Sequence, residues 1–375
     1  MRLLLILTAL VLTGAARPQP GIPGTPQFPL RVAGTAFADT AGQPFPWRGI
    51  TAFRLAEMIA GGREKEAVAY LDWVRSEQLT VVRVLLTAQH LFKLTPEAGR
   101  AALPRLLDLA KERGIAVEAV GLADSNDIEL DYEAHIRHVG RVAEEKGNAF
   151  VEIANEPGHH TQDVRLHDPA FAKRLADLLP ERLIVALGSV EYGEGYAAGD
   201  YATFHFPRGR QPWDHVLALS DGARRVVELK KPIVSDEPIG AGPEYSAGRR
   251  DNEPSRFAAA AALTRFAGMA ATFHYEGGLQ AKIPAGREAA CLAAWQTGLA
   301  LLDDVTIEGE FLSGARAGSV VEAKARGVFA RMSGPRAVIL LVDPAPAAPL
   351  ELAPGWTDIR RAGVPGVQIV VVERR

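Results

Sequence analysis

From residue 45 onward, short and nearly continuous apolar runs alternate with longer stretches whose apolar residues recur every three or four positions. The runs at 45–51, 80–86, 115–121, 149–155, 183–187, 201–206, 232–237 and 270–275 predict strands buried on both faces. The stretches at 64–77, 96–113, 132–146, 169–179, 213–229, 254–267 and 287–302 predict helices with one apolar side. Such alternation is the pattern of a parallel sheet covered by helices. Eight strand–helix units between residues 45 and 302 match the size and repeat of a (β/α)8 TIM barrel in the α/β class. Helix punctuation agrees, because Thr95-Pro96 couples an N-cap residue to a first-turn proline, and Gly114 and Gly147 close helices before strands.

Past Asp304 the texture changes. Runs at 305–312, 319–323, 328–332, 337–342, 350–352 and 367–373 are separated by Gly, Pro and Ala, which predicts a small C-terminal antiparallel β domain. The expected organisation is therefore a barrel over residues 30–304 and a β domain over 305–375. At the other end, Met1-Arg2 precedes an apolar run from Leu3 to Leu12 and the small residues Thr13-Gly14-Ala15-Ala16. That run is about half of the ~20 apolar residues that a membrane span needs, and it has the layout of a secretory signal. The expectation is a signal peptide over residues 1–16, an extended Pro- and Gly-rich leader over 17–29, and a secreted or periplasmic protein with no membrane partner after cleavage.

Composition narrows the chemistry. The 375 residues carry 42 Lys and Arg against 45 Asp and Glu, a net charge of −3, with no basic run to engage nucleic acid. A single cysteine, Cys291, excludes an intrachain disulfide framework and multi-cysteine metal sites. None of the nine histidines falls in His-x-His or His-Glu-x-x-His spacing, and no Gly-rich phosphate motif is present, so neither metal nor cofactor is expected.

In a barrel, reactive groups come from the C-terminal ends of strands. The fourth predicted strand ends Glu152-Ile153-Ala154-Asn155-Glu156-Pro157, and alternation puts Glu152, Ala154 and Glu156 on one face. The seventh ends Ile233-Val234-Ser235-Asp236-Glu237, with Ile233, Ser235 and Glu237 sharing a face. Two glutamates at strand ends can converge in one mouth, and a carboxyl pair is what glycosidic cleavage needs: one protonates the leaving oxygen, the other attacks or activates water. Glu152 and Arg83 are charged residues inside apolar strands, which predicts a pair or network in the barrel interior.

These residues resemble clan A glycoside hydrolases, most nearly the family 5-like members, over about residues 45–302. Asn155-Glu156-Pro157 matches the clan's Asn-Glu-Pro motif, Glu237 matches the nucleophile that ends the seventh strand, and Arg83 matches the strand-two arginine that holds it. The resemblance implies a retaining mechanism with Glu156 as general acid/base, Glu237 as nucleophile, and Asn155 on the sugar 2-hydroxyl. His205 is similar to the histidine of the clan's His-x-Tyr signature, but Pro207 replaces the tyrosine. Tyr275, at the end of the eighth strand where the clan often has tryptophan, is expected to supply a hydroxyl instead. Tyr245, in the Gly-rich loop 238–252, is expected near the substrate. Asn252-Glu253-Pro254 repeats the tripeptide but precedes an alanine-rich stretch and reads as a helix start.

The implied partner is carbohydrate. Aromatic residues are 7% of the chain, too few to pave a long cleft, so a short β-linked glycan or a chain end is the expected substrate. The alternative is a barrel that binds sugar without turnover, which the replaced tyrosine and tryptophan leave open. A metal-dependent hydrolase would need strand-end histidines in a cluster, and only His205 and His274 qualify.

Overall fold

The computed structural model describes residues 26–189, 194–207, 211–242, 251–345 and 350–375. All eight apolar runs form parallel strands: Arg48–Thr51, Val81–Leu85, Ala116–Leu122, Ala149–Ala154, Ile184–Gly188, Ala202–Thr203, Ile233–Ser235 and Ala270–Tyr275, numbered one to eight below. Hydrogen-bonded neighbours run five, four, three, two, one, eight, seven, six. The ring closes between strands five and six through the Asp200 N–H, which donates to the Val185 carbonyl at 2.7 Å. This is the (β/α)8 barrel that the alternation predicts.

Helices Glu64–Ser76, Pro96–Lys111, Tyr132–Lys146, Pro169–Ala176, Pro254–Phe266 and Gly286–Ala300 form the outer layer. The helix expected over 213–229 is broken into Pro212–Ala218 and Gly222–Leu229 by a 3-10 turn at Leu219–Asp221, where Ser220, Asp221 and Gly222 compete with helix continuation. A short helix at Leu55–Ala60 was not expected from the pattern. Packing is tight at the strand ends that carry chemistry. A Cβ on Gly188 would sit 2.5 Å from the Ala154 carbonyl oxygen, so strand five approaches strand four directly beneath Asn155-Glu156 only because residue 188 lacks a side chain.

The run at 45–51 is two elements. Pro44–Phe45 pairs with Ala36–Ala38, which pairs with Arg31–Ala33, and this small antiparallel sheet closes the N-terminal end of the barrel. Phe37, Phe45 and Trp47 pack there with Val81, Phe150, Tyr201 and Val234 from the strands. The Phe37 ring lies 5.0 Å from Phe150 and 5.3 Å from Trp47.

The C-terminal antiparallel sheet has five strands in the order Glu310–Ser313, Ala325–Ser333, Arg336–Pro344, Val367–Arg374, Trp356–Val364. Its edge strand Trp356–Val364 escaped the sequence reading because none of its residues is fully buried and no apolar run marks it. One face, with Phe329, Val338, Leu340, Val342, Val367 and Ile369, joins the main core of the barrel. The Phe311 ring stacks 5.7 Å from Phe329 and lies 6.0 Å from Phe266 of the barrel helix, and the Arg331 guanidinium donates to the Phe266 carbonyl. Among the described residues no helix is long and apolar enough to cross a membrane.

Candidate active site

Strand alternation fills the barrel in layers. At the bottom lie the aromatic residues just named. Above them the inward residues turn polar: Arg83 on strand two, Glu118 on three, Glu152 on four, Thr203 on six and Thr272 on eight are all buried. Near the C-terminal ends come Thr51, Ser189, His205, Asp236, Glu237 and His274. Charge in such an interior has to be paired, since each bare ion would cost several kcal/mol in roughly this environment.

Arg83 is the hub. Its Nη2 donates to Glu152 Oε2 at 2.8 Å and to Asn155 Oδ1 at 2.9 Å, and lies 3.0 Å from Asp236 Oδ2. Nη1 donates to Glu237 Oε1 at 3.3 Å, while Nε lies 3.6 Å from Glu118 Oε2. The guanidinium carbon is 5.5 Å from the centre of the Phe53 ring. Burial and the neighbouring Glu152 push the Glu118 carboxyl well above its usual range despite Arg83, and Tyr201 donates to its other oxygen at 2.9 Å. Burial likewise raises Glu152. The lower carboxyls thus hold protons more readily than free ones, and the guanidinium charge is left for the upper pair.

At the mouth, one imidazole joins both strand-end glutamates. His205 Nδ1 is 3.1 Å from Glu156 Oε1, and Nε2 is 3.9 Å from Glu237 Oε1 and 3.3 Å from Asp236 Oδ1. Strand four ends at Ala154, and Glu156 adopts a positive φ of 41°, so its side chain leaves strand alternation and turns to His205. A left-handed non-glycine residue costs on the order of 1 kcal/mol or more and is concentrated at functional positions.

Burial opposes charge on His205, but Glu237, Asp236 and Glu156 around the ring outweigh it and hold its pKa well above the ordinary histidine value. Burial would raise Glu156, yet the hydrogen bond and charge of His205 bring it below the usual carboxylate range. Asp236 is also lowered, burial being outweighed by Arg83 and His205. The resting site therefore carries a proton on the ring beside an ionised, half-exposed Glu156. Glu237 is 8% exposed and faces the guanidinium on one side and His274 on the other, with His274 Nε2 3.7 Å from its Oε2. Thr51 Oγ1 and His274 Nδ1 share a hydrogen bond of 3.0 Å that fixes this second ring.

The structure brings Glu156, Glu237, Asn155, Arg83 and His205 into one cluster. It does not bring Tyr275 there. Thr272 and His274 are the inward residues of strand eight, so Tyr275 points outward, fully buried, its hydroxyl 2.8 Å from that of Tyr70 and donating to the Lys282 carbonyl. The nucleophile candidate receives His274 from strand eight, not the Tyr275 hydroxyl. Tyr245 lies outside the described residues.

On strand seven the expected face is reversed. Val234 packs inside the barrel and Ile233 outside it, so Asp236 is the inward residue, and Glu237 reaches the mouth because the strand has already ended at Ser235. Asp236 is thus a site residue that the sequence reading passed over, and counting alternation from Val234 would have found it. Glu152 sits in the interior network as expected. The second Asn-Glu-Pro copy is a helix start: Glu253 is the N-cap of Pro254–Phe266 and pairs with Arg287 at 3.2 Å. Trp47 is in the bottom layer, 3.2 Å from Thr272 Oγ1 through its indole N–H.

No family model matches the sequence, and no curated protein matches it. Solved structures do match the fold. A glycoside hydrolase is similar with a TM-score of 0.63 at 13% identity, covering 93% of this chain and 97% of its own. A glycoside hydrolase of family 5 from Bacteroides vulgatus ATCC 8482 gives 0.58 at 12% identity, covering 92% of this chain and 93% of its own. A β-glucanase from Saccharophagus degradans, solved in complex with cellotetraose, gives 0.53 at 12% identity over 73% of this chain and 94% of its own. The chain shares its (β/α)8 barrel fold with these glycoside hydrolase structures and carries a C-terminal antiparallel sheet.

Proposed function

We propose that the protein is a glycoside hydrolase that cleaves O-glycosidic bonds by double displacement, with Glu237 as nucleophile and Glu156 as general acid/base. The observation that carries this reading is that both carboxylates meet the same His205 ring at the barrel mouth while Arg83 holds Glu237. An arginine donating to a carboxylate keeps it ionised and fixes its attacking oxygen. In the first step the Glu237 carboxylate bonds to the anomeric carbon as the glycosidic C–O bond breaks, and the leaving oxygen takes a proton that Glu156 receives from His205 Nδ1, 3.1 Å from its Oε1. In the second, Glu156 removes a proton from water as the water oxygen bonds to the anomeric carbon and the ester to Glu237 breaks. Asn155, anchored on Arg83 through its carbonyl, keeps its amide N–H groups for a sugar hydroxyl.

We read the substrate as a short β-linked glycan or a chain end. Trp47 lies in the bottom layer of the barrel and Tyr275 is buried outside it, so neither ring floors a cleft at the mouth. The cellotetraose complex of the structurally similar β-glucanase makes cello-oligosaccharides the first natural probes. The signal-like residues 1–16 support export, which N-terminal sequencing of the mature protein from culture medium or periplasm would test.

The experiment for the activity is a panel of nitrophenyl β-glycosides and short oligosaccharides, with Glu156→Gln and Glu237→Gln as controls. Turnover by the wild type and its loss by about 100-fold or more in each variant is expected. Ligand-induced thermal stabilisation without hydrolysis of any substrate would contradict the reading in favour of a binding protein.

A further inference from the structure

We propose that Asp236, immediately before the nucleophile, is a positioning residue for the acid/base: its charge holds the His205 ring against Glu156 with both ring nitrogens protonated. The inference rests on the reading of Glu156 as the acid/base.

Asp236 is fully buried, and its own position is fixed from two other strands. Arg83 Nη2 is 3.0 Å from Oδ2, and the Ser189 hydroxyl donates to the same oxygen. That leaves Oδ1 aimed at His205 Nε2, 3.3 Å away, while Nδ1 faces Glu156 Oε1 at 3.1 Å. A neutral imidazole has one donor and one acceptor nitrogen, and an acceptor set against a carboxylate oxygen would bring two lone pairs together. Carboxylates on both sides fit a ring that donates from both. The Nε2 contact is poorly aligned for a hydrogen bond in this state, so Asp236 acts on the ring by charge and proximity more than by directional bonding.

The charged groups around the ring come from every side of the mouth. Asp236 and Glu237 follow strand seven, Glu156 follows strand four, Arg83 lies behind Asp236 from strand two, His274 faces Glu237 from strand eight, and His159 acts on Glu156 from the next loop. Glu237 loses its negative charge when it becomes the glycosyl ester. Asp236 does not, so it remains as the anion that holds the ring in both halves of the cycle. The proton balance closes: the ring proton passes from Nδ1 to Glu156 and on to the leaving oxygen, and the proton taken from water returns by the same route.

The test is nitrogen-15 NMR of the full chain labelled at histidine, with His205→Gln assigning the ring and Asp236→Asn testing the clamp. In the wild type both His205 nitrogens should be protonated at pH 7.5. In Asp236→Asn the ring should titrate at least about one pH unit lower, as loss of a close carboxylate requires. In parallel, kcat/KM of Asp236→Asn should fall about 10-fold or more for glycosides with poor leaving groups and much less for dinitrophenyl glycosides. A folded Asp236→Asn protein with unchanged His205 titration would overturn the proposal. So would a wild-type ring that titrates near the ordinary value of about 6.5, which needs no variant to fold. The NMR result does not depend on turnover, so an inactive protein with a clamped ring would defeat the functional reading alone, and an active one with an unclamped ring would defeat the inference alone.

Discussion

Arg83 Nη1 donates to Glu237 Oε1 at 3.3 Å from inside a barrel where the arginine side chain has no exposure at all. The guanidinium meets Glu118, Glu152, Asp236 and Glu237 together, so one planar fork both balances the interior and orients Glu237.

Arg83→Lys keeps the charge but loses the fork. We expect kcat to fall by about 100-fold or more, because a point charge cannot hold Glu237, Asn155 and Glu152 in one geometry. Arg83→Leu removes the cation from buried carboxylates and should cost about 3–5 kcal/mol of stability. Steady-state kinetics and urea denaturation check the two. Near-wild-type kcat in Arg83→Lys would separate the fork from catalysis.

Glu253 carries the same tripeptide as Glu156, yet it caps a helix and pairs with Arg287. Glu253→Gln should leave kcat and KM unchanged and cost no more than about 1 kcal/mol as a weakened cap. Kinetics measured side by side with Glu156→Gln give the answer, and a comparable loss in both would show that the helix start matters to turnover.

The pH dependence of folding has a predictable contribution from a histidine outside the site. His135 is buried, with Nε2 3.0 Å from the Gly121 carbonyl and Nδ1 3.0 Å from Arg100 Nη1. Its neutral form satisfies both, donating from Nε2 and accepting at Nδ1. Burial chiefly, with Arg100 adding, lowers its pKa from 6.5 to about 4. Between those values the unfolded chain binds the proton and the folded one does not, so stability is present above pH 6.5 and is lost as pH falls toward 4. The difference of about 2.5 units corresponds to about 3 kcal/mol. Denaturation at pH 7.5 and pH 4.5 should show this loss in the wild type and a smaller one in His135→Gln. Equal losses would place the acid sensitivity in the carboxylates instead.

The barrel was legible in the sequence because its strands are short, nearly continuous apolar runs with helical periodicity between, and those runs carried Arg83 inside strand two and Glu156 and Glu237 just past the ends of strands four and seven. What was hidden has local reasons. The closing sheet at residues 31–45 is made of strands of two or three residues, too short to show alternation. Strand Trp356–Val364 lies at the edge of its sheet, and none of its residues is fully buried. Asp236 was passed over because alternation was counted from Ile233, whereas the inward position of that strand is Val234. One residue of slip exchanges every inward side chain for an outward one, and Tyr275, expected at the mouth from its place at the end of strand eight, is outward because Thr272 and His274 are that strand's inward residues.

Azide rescue with product stereochemistry tests the proposed division of labour between Glu237 and Glu156 most directly. With an activated aryl β-glycoside, Glu156→Ala should still form the glycosyl-enzyme, and azide should release it as the β-glycosyl azide, with retention. Glu237→Gly should lose turnover with every substrate and, with azide filling the space of the carboxylate, yield the α-glycosyl azide, with inversion. Proton NMR of the two products reads the result. Inverted azide from Glu156→Ala together with retained azide from Glu237→Gly would contradict the assignment.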